Sequence, residues 1–183
     1  MELIKQNSHS KIIKTLLVIF LGSLILAISA KIKIPFYPVP MTMQTFVVLL
    51  IGIAFGWKIG LSTILLYLCE GLVGLPVFAG TPEKGIGLVY FTGPTMGYLI
   101  GFLFAAFAAG YLNLNTTISF IFLKLILSVS IIYIIGIFWL GLLIGWDKPL
   151  LELGLFPFIL AELFKISLLT LLTKKILSLR KFI

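Results

Sequence analysis

Apolar residues fall along this chain in six long runs, each closed by proline, glycine or charge. Crossing a bilayer as a helix takes roughly 17–25 mainly apolar residues. Runs near that length predict spans over Ile12–Ala30, Met41–Trp57, Ile59–Leu75, Pro94–Leu112, Ile118–Gly145 and Phe158–Leu179. The breaks are Pro35, Pro38 and Pro40, then Trp57-Lys58, Thr81-Pro82-Glu83-Lys84, Asn113-Leu114-Asn115 and Asp147-Lys148-Pro149. The expected fold is an all-α bundle of six transmembrane helices forming one membrane domain over residues 1–183, with a polar tail over 1–11.

Only Gly56-Trp57-Lys58 separates the second and third runs. They read either as an antiparallel hairpin or as two shorter helices buried in the bundle. The first run resembles a signal peptide, with Lys5, Lys11 and Lys14 ahead of an apolar stretch that ends in small residues. It is read as a retained span, because the five following runs need no cleaved leader. Gly22, Ser23, Ala27, Ser29 and Ala30 suit it for close packing against another helix.

Composition agrees. Of 183 residues, 61% are hydrophobic and 11% charged, and the mean hydropathy is +1.22, against about 45–50% apolar and 25% charged in soluble domains. The net charge of +8 does not read as a nucleic-acid face, because the cations lie between hydrophobic runs. Six spans put both termini on one side, together with Lys5, Lys11, Lys14, Lys58, Lys174, Lys175, Arg180 and Lys181 against the single acid Glu2. The other side carries Lys31, Lys33, Lys84 and Lys148 against Glu70, Glu83, Asp147 and Glu152. The positive-inside rule then makes both termini cytoplasmic, in a multi-pass protein of the cell membrane.

Cys69 is the single cysteine and His9, in the tail, the single histidine. Disulfides, thiolate metal clusters and histidine-based hydrolase sets are therefore excluded, and no Walker loop is present. No catalytic residue, metal or cofactor is expected, and ATP hydrolysis would have to come from another chain.

Three charges remain outside this two-sided division: Lys124, Glu162 and Lys165. Lys124, near the start of the fifth run, can snorkel to the headgroups. Glu162 and Lys165 sit inside the sixth, on its outer half. An unpaired charge at the bilayer centre costs about 2.5–3.5 kcal/mol, so such residues tend to be paired and functional. Their i,i+3 spacing shares a helix face. They read either as a structural pair knitting the bundle or as a polar spot lining a ligand cavity, with Lys165 offering donors and Glu162 acceptors. Pro157 marks the start of that helix, whose positive dipole end faces outward. Two outer segments could close such a cavity: the proline-rich stretch from Ile34 to Gln44, and the glycine-rich stretches from Gly71 to Gly80 and Gly93 to Tyr98, where glycine permits close approach to a ligand or a hinge.

Together these segments resemble the biotin-binding subunits of energy-coupling factor (ECF) transporters, the BioY family. The resemblance covers about residues 15–180. It rests on Pro38-Val39-Pro40-Met41-Thr42-Met43-Gln44-Thr45, Gly71-Leu72-Val73-Gly74-Leu75-Pro76-Val77-Phe78, Gly93-Pro94-Thr95-Met96-Gly97-Tyr98-Leu99-Ile100-Gly101-Phe102, and Pro157-Phe158 followed by Glu162 and Lys165. It implies a six-helix bundle and a ligand site under the outer loops, with binding residues Gln44, Phe78, Tyr90, Gly93, Pro94, Thr95, Tyr98, Glu162 and Lys165. Tyr37 and Phe91 would add aromatic cover. It further implies high-affinity biotin uptake, with a membrane-embedded coupling subunit and two ATPases as partners; Ser23 and Ala27 would dock the coupling subunit. Where the family usually has Gly-Asp, this chain has Ala161-Glu162, and Met96 replaces a usual glycine. The alternatives are capture of another vitamin or small organic anion, and a membrane assembly protein without a ligand.

The charge pattern generates a direct expectation: a tag on the C-terminus is protected from impermeant reagents in intact cells. Labelling from outside would contradict the orientation.

Overall fold

The computed structural model describes the backbone of residues 2–182 and the side chains of residues 11–180. The side chains of Glu2, Lys5, His9 and Lys181 lie outside the described residues. The chain is mostly helical: α1 (Glu2–Lys31), α2 (Gln44–Leu72), α3 (Leu88–Phe91), α4 (Met96–Tyr111), α5 (Ile118–Ile144), α6 (Leu150–Gly154) and α7 (Phe156–Leu177), with a 3-10 turn over Ser178–Phe182. Two short strands, β1 (Lys33–Ile34) and β2 (Met41–Thr42), pair antiparallel with Lys33 opposite Thr42. Helix α1 starts well before the expected span, so the segment read as a polar tail is helical from Glu2.

By length and composition, Lys11–Lys31, Gln44–Leu72, Ile118–Ile144 and Phe156–Arg180 are long and apolar enough to cross a membrane, and Met96–Tyr111 is a shorter apolar helix. Their outward surface is apolar. Leu160 and Leu171 are 81% and 71% exposed, a state that hydrocarbon tolerates and water penalises.

Helix α2 is broken at Gly56, whose φ of 82° lies where glycine is favoured over side-chain-bearing residues. The chain folds back there. A Cβ on Gly60 would lie 3.4 Å from the Gly52 Cα, whereas residues eight apart in a straight helix are about 12 Å apart. The antiparallel hairpin, one of the two readings left open by the sequence, is therefore the observed one. Glycines also bring α4 close to its neighbours. Gly97 and Gly101 lie against Ile135, Gly136 and Ile132 of α5, so these motif glycines serve helix packing rather than close approach to a ligand.

The bundle has two distinct ends. At one, Arg180 donates to the carbonyls of Ile53 (2.9 Å) and Gly110 (3.1 Å), and Lys124 donates to Asn113 O at 2.6 Å. These are carbonyls left open where helices stop, which cations satisfy well. At the other end, loops cover the helix mouths. The segment between α1 and α2, including the β1–β2 hairpin, forms a strap, and residues 73–87 form a second lid.

A Cβ on Gly52 would come 2.6 Å from the Ala106 carbonyl oxygen, a backbone atom that cannot swing aside. Gly52→Val should therefore lose about 1–3 kcal/mol through overpacking, read as a lower unfolding midpoint in detergent. Wild-type stability would contradict the packing of α2 on α4.

Candidate ligand-binding site

The site grows from two charges one turn apart on α7. Glu162 and Lys165 are each 5% exposed, although the turns of α7 around them are mainly apolar. Burial on that scale requires partners, and they are present. The Lys165 ammonium donates to Glu162 Oε1 at 2.7 Å, to Thr45 Oγ1 at 2.9 Å and to the Thr42 carbonyl at 2.8 Å. The Thr45 hydroxyl in turn donates to Glu162 Oε1 at 2.8 Å. An ammonium has three hydrogens, and all three are engaged. In this structure the Lys165 ammonium is thus fully bonded within the protein. Glu162 is the opposite case: its Oε2 is buried and makes no well-formed hydrogen bond among the described residues, although the Tyr133 phenol lies near the carboxylate.

Glu162 lines a narrow cavity under the strap. Val39, Pro40, Met41 and Thr42 form the roof, and Tyr90, Tyr98, Phe102, Tyr133 and Phe158 supply aromatic wall. Gln44, Thr45, Ala79, Thr95, Leu99 and Ile132 complete it. The volume is about 50 Å³, enough for a few waters, whereas pockets for drug-sized ligands run from about 300 to 1,000 Å³. A ligand of that size requires the cavity to widen. Glu162 and Tyr133 also reach a lateral groove between α5 and α7, lined mainly by aliphatic residues.

Each expected residue has a definite place. Gln44 lines the cavity while its amide donates to the Tyr67 hydroxyl at 2.7 Å, which donates to Val77 O at 3.1 Å. Tyr90, Thr95 and Tyr98 also line it. Tyr98 is held by donation to Gly154 O at 2.9 Å, its ring so close to Gly136 that a Cβ there would meet it at 2.5 Å. Burial pushes the Tyr90 phenol above its ordinary range, which keeps it a neutral hydroxyl. Phe78 does not line the cavity. It stands behind Tyr90, stacked at 4.7 Å, with Tyr67 edge-on at 5.2 Å. Gly93 and Pro94 also lie off the lining; the Gly93 carbonyl accepts from Trp139 Nε1 at 2.9 Å. Phe91 packs on Phe78 at 5.4 Å, and Tyr37 is 87% exposed.

Two expectations change at α1. Ser23 is fully buried and its hydroxyl lies 2.8 Å from Glu70 Oε1, so it faces this chain's own α2 rather than a partner. Ala27 is half-buried against the core. Glu70, counted with the outer-side charges near the end of the third run, is thereby part of the α1–α2 interface. Thr45, Phe102, Tyr133 and Phe158 are lining residues that sequence reasoning did not select. Tyr133 had a signal, being a tyrosine in the middle of an apolar run; Thr45 had only its adjacency to Gln44.

The roof is held by cations. Lys31 donates to the carbonyls of Phe78 (2.8 Å) and Thr81 (3.1 Å), Lys33 to Ala79 O (2.7 Å), and Lys84 to Pro38 O (3.4 Å). Strap and lid are thus tied to each other, above a cavity that the α7 pair closes from below.

Comparison with known proteins places this architecture. The BioY family model matches residues 4–182. The chain belongs to the BioY family. Among its BioY relatives, a probable biotin transporter from Pyrococcus horikoshii is 37% identical over 139 residues, covering 76% of this chain and 81% of that protein. A biotin transporter from Thermotoga maritima is 34% identical over 143 residues, covering 78% and 83%. The solved structure of the S-component for biotin from an ECF-type ABC transporter superposes with a TM-score of 0.76 at 25% identity, covering 91% of this chain and 92% of that one. The BioY fold and its membrane helices are thus shared with a transporter component.

Thr45→Val removes the hydroxyl that both accepts from Lys165 and donates to Glu162. Leaving those two groups short of a partner should cost about 1–3 kcal/mol of stability, measured by unfolding in detergent. An unchanged midpoint would mean that the triad is not knit as described.

Proposed function

We propose that this chain captures biotin on the outer side of the cell membrane and delivers it inward as the substrate-binding component of an ECF-type transporter. The observation that carries this reading is the buried Glu162 carboxylate facing an aromatic cavity: Oε1 is gripped by Lys165 and Thr45, and Oε2 is left with only the nearby Tyr133 phenol as a protein neighbour that could donate to it. Biotin matches it in parts. Its ureido N–H groups supply donors for Oε2, its fused rings suit the faces of Tyr98, Phe102, Tyr133 and Phe158, and its acid tail points to the roof, where Lys33 and Lys84 stand. The cavity lining holds no cation of its own among the described residues. That favours a polar neutral head at the bottom over an anionic one. The names of the relatives and of the structural neighbour support the same substrate.

In this reading the fold crosses the membrane six times, counting the two arms of α2 and the shorter α4, and both termini are cytoplasmic. The arms are short for a full crossing, and the bilayer thins locally to accommodate them. Energy comes from partners: a membrane-embedded coupling subunit and two ATPases. The lipid-facing ridge of α1, with Leu16, Leu17, Phe20 and Leu24 exposed, is the surface offered to the coupling subunit, with Ala27 at its edge.

Purified protein should bind biotin saturably in equilibrium titration. Glu162→Ala should lose about 1.5–3 kcal/mol of binding, the worth of a hydrogen bond to a charged group. Absence of saturable binding by the wild type would remove the substrate assignment.

A further inference from the structure

Resting on the biotin reading, we propose that Tyr67 is a positioning residue for ligand capture. Its hydroxyl sets the cavity-facing amide of Gln44 and ties that amide to the lid at Val77.

Tyr67 is wholly buried and lies outside the cavity lining. A buried phenol usually finds a hydrogen-bond partner, but this one has two, and they belong to different working parts of the molecule. Its oxygen accepts from Gln44 Nε2 at 2.7 Å, and its hydrogen goes to the Val77 carbonyl at 3.1 Å. Gln44 lines the cavity, whereas Val77 belongs to the lid. At its other end, the Gln44 amide oxygen accepts from the Thr42 hydroxyl of the strap at 3.3 Å. Donation therefore runs in one direction, from Thr42 to Gln44 to Tyr67 to Val77. Strap and lid are joined through two residues of the cavity wall and one residue behind it.

The amide is held at both ends. It carries two hydrogens and an oxygen with two lone pairs. With Tyr67 and Thr42 served, one hydrogen and one lone pair remain, and the amide cannot flip without breaking both bonds. A polar group fixed in this way spares the ordering cost of binding. The ring of Tyr67 is fixed in turn by Phe78, edge-on at 5.2 Å, and Phe78 stacks on Tyr90 of the wall at 4.7 Å. The lid meets that wall a second time where Gly80 N donates to the Tyr90 hydroxyl at 3.3 Å. Lid position and amide direction are thus linked through one hydroxyl.

Tyr67→Phe keeps the ring and its packing on Phe78 and deletes only that hydroxyl. The test measures the biotin Kd and the unfolding midpoint of wild type, Tyr67→Phe, Gln44→Met and the double variant. It adds hydrogen–deuterium exchange over residues 73–87 without ligand. Tyr67→Phe should weaken biotin binding about five- to thirtyfold and accelerate lid exchange. In the Gln44→Met background the same substitution should add less than about twofold, because the hydroxyl acts through the amide. A hydroxyl that merely supports the fold predicts an equal loss of affinity in both backgrounds, and that result would overturn the proposal. Wild-type affinity or unchanged lid exchange in folded Tyr67→Phe would overturn it too. A wild type that binds no biotin would sink the biotin reading instead, and lid exchange would then decide the role of Tyr67.

Discussion

A carboxylate and an ammonium held inside hydrocarbon must find partners or not exist as ions, and the rest of this molecule is arranged around that requirement. The Glu162–Lys165 pair is bonded at 2.7 Å and almost wholly buried. Partnering it takes a hydroxyl from α2 and a carbonyl from the strap, so two separate elements are drawn to one point on α7. A buried pair is weak evidence for stability in itself, since desolvation offsets its attraction. What marks this one is the residue of the accounting: every donor is matched and one acceptor is not.

The same economy of cations shapes the outer face. Lys31, Lys33 and Lys84 bond to backbone carbonyls of strap and lid, converting two irregular segments into a tied cover. Loops at a membrane surface carry carbonyls that helices cannot satisfy, and here long flexible cations do so. The result is a narrow cavity under a tied cover. That fits a component which must admit a ligand and then shield it.

The helices were legible because lipid imposes a simple rule: long apolar runs with charged ends. The spans over Ile118–Gly145 and Phe158–Leu179 agree with α5 and α7 within a few residues. The α2 hairpin was ambiguous because it turns on a single glycine, and only the close approach of Gly52 and Gly60 resolves it. The α7 pair was legible for the same reason as the helices, since charge inside an apolar run stands out. Its wiring was not. Nothing in residue spacing says that Thr45 closes the triad, that Lys165 is fully bonded within the protein, or that Ser23 turns inward to Glu70. Phe78 was misplaced because an aromatic beside a glycine-rich loop can pack behind a wall as readily as form one, and Gly71 leaves the space that Phe78 fills.

The most direct test is the structure of the biotin complex. The account predicts a ureido nitrogen within about 2.7–3.2 Å of Glu162 Oε2, with Lys165 still bonded to Oε1 and Thr45. Biotin lodged in the groove between α5 and α7, or an Oε2 still without a partner, would contradict it.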